Sequence, residues 1–351
     1  MLSFSEVNDL RKFYNWTIEG LKNYLIDNGF KGFSGDQIFK WVYEQNVIDP
    51  DMMTNISKDL RAFLKENVSF DYLEVVEKQV AKDNTQKYLF KLIDGHVIET
   101  VLMKYEYGNS VCVTSQVGCS MGCSFCASGI IAKKRDLSVA ELVNQVASIQ
   151  HYSGEKITHI VVMGTGEPFD NYDNVMDFIR VINYKHGLQI GARHISVSTC
   201  GIIPRIYEYA REVIKSNLAI SLHAPNDEIR SKLMKINKVY PLKDLIQAVK
   251  DYVEISGRRV TFEYILLKGI NDDVAHANEL SDLIRGINAY VNLIPYNPVN
   301  EFGYKKTDPK KAHKFHEQLE KRGINATLRR ELGSDIDAAC GQLRLKKEVS
   351  E

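Results

Sequence analysis

No run of the 351 residues is long and apolar enough to span a bilayer, and the opening MLSFSEVNDLRKFYNW carries acidic residues where a secretory leader needs an unbroken apolar stretch. Both absences point to a soluble, cytoplasmic protein with no membrane association. Net charge is absent as well, because 45 Lys and Arg balance 45 Asp and Glu. A protein that coats nucleic acid by bulk charge is thereby disfavoured, and any RNA contact has to be local. Tandem repeats and low-complexity tracts are lacking. Cysteine is scarce, with six in the chain, too few for a disulfide scaffold at this length. In a reducing compartment such thiols suit metal binding or catalysis. What is present is an ordinary globular composition, 44% apolar and 26% charged, with length enough for about two domains and a sizeable core.

The first hundred residues differ from the rest. Ser34 and Gln37 ahead of IFKWVYEQN read as a capping box, with Ile38, Trp41 and Val42 on one helix face. In YLFKLIDGHVIETVLMKY, two β-branched runs flank Asp94-Gly95, a hairpin signal. From about residue 110, short β-branched runs alternate with helix-length segments, the pattern of a parallel α/β fold. The expected strands are 110–116, 157–163, 194–199, 217–223, 259–267 and 290–295, which suggests an incomplete barrel. Ser138 and Glu141 form a second capping box ahead of LVNQVASIQ. The expected division is a helical accessory module at 1–72, a β-rich hairpin connector at 73–105, a partial barrel at 106–330 and a C-terminal segment at 331–351.

Each unusual polar motif falls at the carboxyl end of one of these strands, where parallel α/β barrels keep their active sites. Taken singly, such Gly, Ser, Asn and Pro clusters are equally well ordinary loops. The most specific motif is the CxxxCxxC run of Cys119, Cys123 and Cys126. A structural zinc site commonly draws four ligands from two separated pairs, whereas three clustered thiolates suit a 4Fe-4S cluster with one open iron. This spacing resembles that of radical-SAM enzymes, in which the open iron chelates S-adenosylmethionine. In GTGEP, Gly166 permits close backbone approach and Glu167 offers a carboxylate to the methionine ammonium group. Ser198, Ser221, Leu222, His223 and Asn297 sit at further strand ends and are candidates for hydrogen bonds to the same ligand. His223 alone would equally be a satisfied structural histidine. Cys112 and Cys340 stand apart from the cluster spacing, and each alone reads as a small buried hydrophobe.

Together SQVGCSMGCSFCASG, GTGEPFDNYDNV, STCGIIP, ISLHAPNDEIR, NLIPYNPV and GSDIDAACGQLR closely resemble the RlmN family of radical-SAM RNA methyltransferases from about Glu99 to Arg344, and more weakly over the amino-terminal module. The resemblance implies an α/β radical-SAM partial (β/α)6 barrel with a mainly helical N-terminal accessory domain. It implies methylation of adenine C2 in 23S rRNA and in tRNA, using a 4Fe-4S cluster and two molecules of S-adenosylmethionine per turnover. Cys340 becomes the methyl acceptor, Glu99 the base for the C2 proton, and Cys112 the thiol that releases product and leaves a Cys112–Cys340 disulfide. An electron donor such as flavodoxin or ferredoxin and a thiol reductant are then partners. Two residues depart from the family's habit: Cys200 where serine is common, and Thr165 where many members carry methionine.

The alternatives are a C8-methylating enzyme of the Cfr type and a noncatalytic RNA-binding protein with a structural metal. For RNA contact the sequence offers a basic run over 304–330, the Lys133-Lys134-Arg135 cluster and the amino-terminal module, although such runs equally read as solvated helix faces.

Overall fold

The computed structural model describes residues 11–299, 301–330, 332–338 and 341–343. Helices α1 (Ile18–Asp27), α2 (Ser34–Phe39) and α3 (Lys58–Asn67) form the amino-terminal module, which is closed by a short parallel pair of strands, β1 (Arg11–Lys12) and β2 (Val68–Ser69). Thr17 accepts from the Gly20 amide and Ser57 from the Leu60 amide, so α1 and α3 start on side-chain caps. The expected box at Ser34 does not form. Phe33 is already helical, Ser34 is buried inside the first turn, and Gln37 donates instead to the Asn55 carbonyl at 3.1 Å. Ile38 and Val42 are buried as expected, and Trp41 packs against the same core while its indole N–H donates to Asn55.

Strands β3 (Glu74–Val80), β4 (Gln86–Lys91), β5 (Val97–Tyr105) and β6 (Gly108–Cys112) form an antiparallel meander. The Asp94-Gly95 turn stands between β4 and β5, with Gly95 at φ +84. A short antiparallel pair, β7 (Gln116–Val117) and β8 (Arg135–Asp136), brackets the cysteine loop. Strands β9 (Ile157–Val162), β10 (Ile195–Thr199), β11 (Asn217–Ser221), β12 (Val260–Leu266), β13 (Ala289–Pro295) and β14 (Ala326–Leu328) run parallel to one another, and β9 also pairs in parallel with β6. The whole forms one ten-stranded sheet in the order β14-β13-β12-β11-β10-β9-β6-β5-β4-β3. The expected connector is therefore continuous with the barrel sheet.

Helices α4 (Val139–Ser153), α5 (Tyr172–Asn183), α6 (Ile203–Arg211), α7 (Asp227–Leu233), α8 (Leu242–Ser256), α9 (Val274–Leu283) and α10 (Pro309–Lys321) connect the strands. The Ser138–Glu141 capping box is formed, with both reciprocal bonds present. Strand periodicity assigns the two faces of the sheet. Ile160, Val162, Ile195, Val197, Leu218, Ile220, Val260, Phe262, Val291 and Leu293 belong to the main core, each contributing about 1.5–3 kcal/mol by burial. The alternate residues, among them Cys112, Met163, Ser198, Ser221, Glu263, Asn292 and Ile294, line interior cavities. That inner face positions the site. The amino-terminal module shares the core, and its Phe39 meets Tyr184 edge-to-face while Asp36 accepts from the Tyr184 hydroxyl. No helix among the described residues is long and apolar enough to cross a membrane.

Candidate active site

After β6 the chain turns through Gly118 at φ +77, where a Cβ would lie 2.4 Å from the Ala132 carbonyl oxygen. Only glycine fits so close an approach in that conformation. The loop is then fixed by backbone bonds from Cys119 to the Ile131 carbonyl and from Ser124 to the Leu233 carbonyl, both 2.9 Å. Cys119, Cys123 and Cys126 line one cavity at the carboxyl ends of the strands, together with Gly166, Glu167, Ser198, Ser221 and His223. Gly166, at φ +112, lets the strand end pass Ser115 and Gln116, whose side chains a Cβ would meet at 2.6 and 2.7 Å.

Three thiols with one ligand position left over are the donor set for a 4Fe-4S cluster. Among the described residues no group of three or more His, Cys, Asp or Glu side chains is placed to hold one metal ion. A cluster gives each cysteine an iron of its own and asks for wider spacing than a tetrahedral zinc. The residues present fit a cluster. Burial pushes the Cys119 thiol up to about 11 and the Cys123 thiol well up, with neighbouring thiols adding to both. Without a cation they keep their protons, so metal binding must displace them.

Glu167 is fully buried. Its carboxylate accepts from the Phe169 amide at 3.0 Å and the Cys200 amide at 2.8 Å, and the Thr199 and Cys200 side chains bond to it as well. Burial raises its pKa while these donors lower it. The Cys200 thiol thus supplies Glu167 with a side-chain donor at a position where a serine hydroxyl would do the same. His223 has φ +59, and its Nδ1 accepts from the Ile265 amide at 3.1 Å. Nδ1 is therefore unprotonated and Nε2 carries the hydrogen. Burial, with the Arg230 charge, brings its pKa down to about 3, so the ring is neutral. The Ser198 and Ser221 hydroxyls are 3.3 Å apart.

The structure separates other expected residues from this cavity. The Leu222 side chain lies in the main core and leaves only its backbone near the site. Asn297 and Cys112 line an adjoining cavity, which shares Cys126, Met163, Gly164 and Ile294 with the first. Glu99 lines neither. It is buried on β5 and pairs with the buried Lys87 at 3.2 Å, so it is no solvated strand carboxylate. Lys87 in turn reaches the Asp337 carbonyl at 3.5 Å. Cys340 lies outside the described residues, but Ala338, Gly341 and Leu343 all line the Cys112 cavity. Gly341 accepts from the Ala127 amide at 2.8 Å and Leu343 from the Ser128 hydroxyl at 3.0 Å, tying this segment to the cysteine loop.

Sequence reasoning missed Lys87, Glu263 and Arg230. Glu263 is a buried carboxylate on the inner face of β12, its pKa raised by burial and its oxygen accepting from Asn292 at 2.8 Å. Arg230 is fully buried on α7 and donates to the carbonyls of Cys200 (2.7 Å), Leu222 (3.2 Å) and Ser221 (3.3 Å) and to the Asn237 side chain (2.9 Å). One guanidinium therefore ties together the ends of β10 and β11. The signal available in sequence was an arginine in ISLHAPNDEIR, indistinguishable there from a surface helix residue.

Residues 113–280 match the Radical SAM superfamily, and residues 12–69 match the ribosomal RNA large subunit methyltransferase N-terminal domain. A probable dual-specificity RNA methyltransferase RlmN of Staphylococcus carnosus (strain TM300) is 53% identical over 346 residues, covering 98% of this chain and 95% of that protein. The Staphylococcus aureus (strain JH9) protein of the same description is 52% identical over the same shares. The crystal structure of a radical SAM methyltransferase from Sphaerobacter thermophilus superimposes with a TM-score of 0.90 at 44% identity, over 95% of this chain and 99% of that one. On this sequence identity, and with a solved radical SAM methyltransferase superimposing on nearly its whole length, the chain belongs to the RlmN family of RNA methyltransferases, which work with S-adenosylmethionine and a 4Fe-4S cluster.

Proposed function

We propose that the protein methylates C2 of adenosine in 23S rRNA and in a tRNA anticodon loop, through a methylated Cys340 and a covalent protein–RNA adduct. The observation that carries this reading is the pair of joined cavities. Cys112 and the residues on both sides of position 340 line one, and the three cluster thiols line the other.

C2 of adenine lies between two ring nitrogens and is too electron-poor to attack a sulfonium methyl group. When bound, the cluster supplies the electron that splits S-adenosylmethionine to a deoxyadenosyl radical. Cys119, Cys123 and Cys126 would hold it. Glu167 is the carboxylate for the methionine ammonium group, with Gly166 giving backbone access, and Ser198, Ser221, His223, Asn297 and the Leu222 backbone are the polar groups for the rest of the cosubstrate. Cys340 takes a methyl group from one S-adenosylmethionine by displacement, its sulfur forming the new bond as the sulfonium bond breaks. That S-methyl group loses a hydrogen atom at the expense of a second S-adenosylmethionine and adds to C2 as a methylene radical. Once the adduct has given one electron back to the oxidised cluster that the three thiols would hold, Glu99, paired with Lys87 at 3.2 Å, is the base for the C2 proton. Cys112 attacks the Cys340 sulfur and releases methylated RNA, leaving a disulfide for a thiol reductant. An electron donor such as flavodoxin or ferredoxin completes the cycle.

The test is anaerobic incubation of cluster-loaded protein with S-adenosylmethionine, a reductant and a 23S rRNA fragment or tRNA, followed by nucleoside mass spectrometry. 2-Methyladenosine together with deoxyadenosine is expected. 8-Methyladenosine would overturn the C2 assignment, and a colourless protein forming neither product would overturn the radical mechanism.

A further inference from the structure

Several cations of the basic runs that stand out in the sequence are paired with carboxylates in the fold. Lys133 pairs with Asp136 and Asp170 at 2.9 and 2.8 Å, and Arg135 with Asp94 and Glu141 at 2.6 and 2.8 Å. Lys311 pairs with Asp272 and Asp273, and Arg322 with Asp282. A different set of cations converges on the inner face of the sheet. There a cavity of about 730 Å³ is lined by Arg193, Arg258, Arg259, Arg329 and Arg330, and among the described residues its only acidic lining residue is Glu263. Arg193, Arg258 and Arg259 come from the segments before β10 and β12 and lie outside the basic runs of the sequence, whereas Arg329 and Arg330, after β14, close the run over 304–330.

Arg193, Arg258, Arg259 and Arg330 make no ion pair among the described residues. Arg258 donates to the Asn217 side chain at 2.5 Å, and Arg259 lies 5.0 Å over the Tyr290 ring. Arg193, Arg259 and Arg330 are exposed. Aromatic surface lies among them. Tyr105 and Tyr107 also line the cavity, their rings stacked 4.8 Å apart, and Tyr107 is 66% exposed, leaving room for another ring. Phosphate needs guanidinium groups that no carboxylate has claimed, and a nucleobase needs an open π-face. Both occur on one concave surface. This cavity also shares Met103, Tyr105, Val161, Met163, Arg329 and Arg330 with the cavity that holds Cys112, so its floor leads toward the reacting centre.

We propose that this arginine-tyrosine bowl, which runs from the amino ends of β10 and β12 to the residues that follow β14, binds a single-stranded segment of the substrate RNA, holding phosphates on its arginines and a base on Tyr107. The inference rests on the RNA-methyltransferase reading and adds the surface by which RNA approaches: the inner face of the sheet, beside the cavity that holds Cys112. It assigns the basic stretch around α10 no part in holding the strand.

The test uses cluster-loaded full-length protein and a fluorescein-labelled adenosine-containing RNA stem-loop, with affinity read by anisotropy across a salt series. Arg193→Glu with Arg259→Glu changes two exposed side chains, and Lys310→Glu with Lys314→Glu on the exposed face of α10 makes the same change in net charge. The bowl variant is expected to bind about 10-fold more weakly or worse, with a salt slope smaller by roughly 1.4 for two lost single-strand phosphate contacts. The α10 variant should keep wild-type affinity, and Tyr107→Ala should weaken binding severalfold with an unchanged slope. Iron content and RNA-independent deoxyadenosine formation should be wild-type in all three. Unchanged affinity in the bowl variant, equal weakening in the α10 variant, or displacement of the RNA by submillimolar adenosine monophosphate would overturn the proposal. Binding is read without methylation, so its failure leaves the product analysis untouched.

Discussion

Replacing Arg230 with methionine removes a buried cation that no carboxylate among the described residues faces within ion-pair distance, and two opposing effects decide the outcome. Burial lowers its pKa to about 10. The charged form has thus given up about 3 kcal/mol relative to water, which methionine recovers. Against this stand four hydrogen bonds from an ionised donor, to Cys200, Leu222, Ser221 and Asn237. At about 1.5–3 kcal/mol each they sum to about 6–12 kcal/mol. The loss wins, and the variant should be destabilised by at least about 3 kcal/mol, a large share of a total stability of about 5–15 kcal/mol. Arg230→Lys keeps the charge but cannot span acceptors on two strand ends, so it should fall almost as far. The assay is anaerobic urea unfolding followed by circular dichroism, with cosubstrate affinity measured in parallel, since the ends of β10 and β11 loosen together. A Met variant within about 1 kcal/mol of wild type would show that the guanidinium is not what joins these loops.

Other perturbations separate structure from chemistry. Lys87→Met breaks the buried Lys87–Glu99 ion pair and should cost about 3–5 kcal/mol, while the double variant with Glu99→Leu should recover more than half in the same unfolding assay. Cys340→Ala should abolish methyl loading, and Cys112→Ala should accumulate an RNA-linked protein band on a denaturing gel; normal turnover by either would refute their roles. His223 is neutral in the fold, with a pKa of about 3, so the unfolded chain binds the extra proton as pH falls below about 6.5 and stability drops. Between pH 7 and 5.5 the wild type should lose about 1 kcal/mol more than His223→Asn, and equal losses would refute the assignment.

The barrel was readable because each strand is a compact β-branched run whose outward residues meet helices. Five of the six expected strands begin and end within two residues of the observed bounds. The first, read as 110–116, breaks after Cys112 because the Thr114 amide turns to the Gln145 side chain and the Ser115 amide to the Thr165 carbonyl. Strand β14 escaped notice: at three residues it is too short to show alternation. The Ser34 pattern misled because a capping box needs an extended residue at its start, and the preceding turn had already made that backbone helical. At the site, clustered motifs were legible because their spacing is local. Arg230, Lys87 and the bowl's Arg193, Arg258 and Arg259 were not, because their partners come from distant segments and only the fold decides which charges are neutralised.

The most direct test of the central claim is incubation with S-adenosylmethionine whose transferable methyl group is fully deuterated, followed by mass spectrometry of both products. Assembly through an S-methylcysteine predicts a new RNA methyl group retaining two of its three deuterium atoms and deoxyadenosine that has gained one. A methyl group arriving with all three, and deoxyadenosine carrying none, would mean direct transfer and would contradict the account.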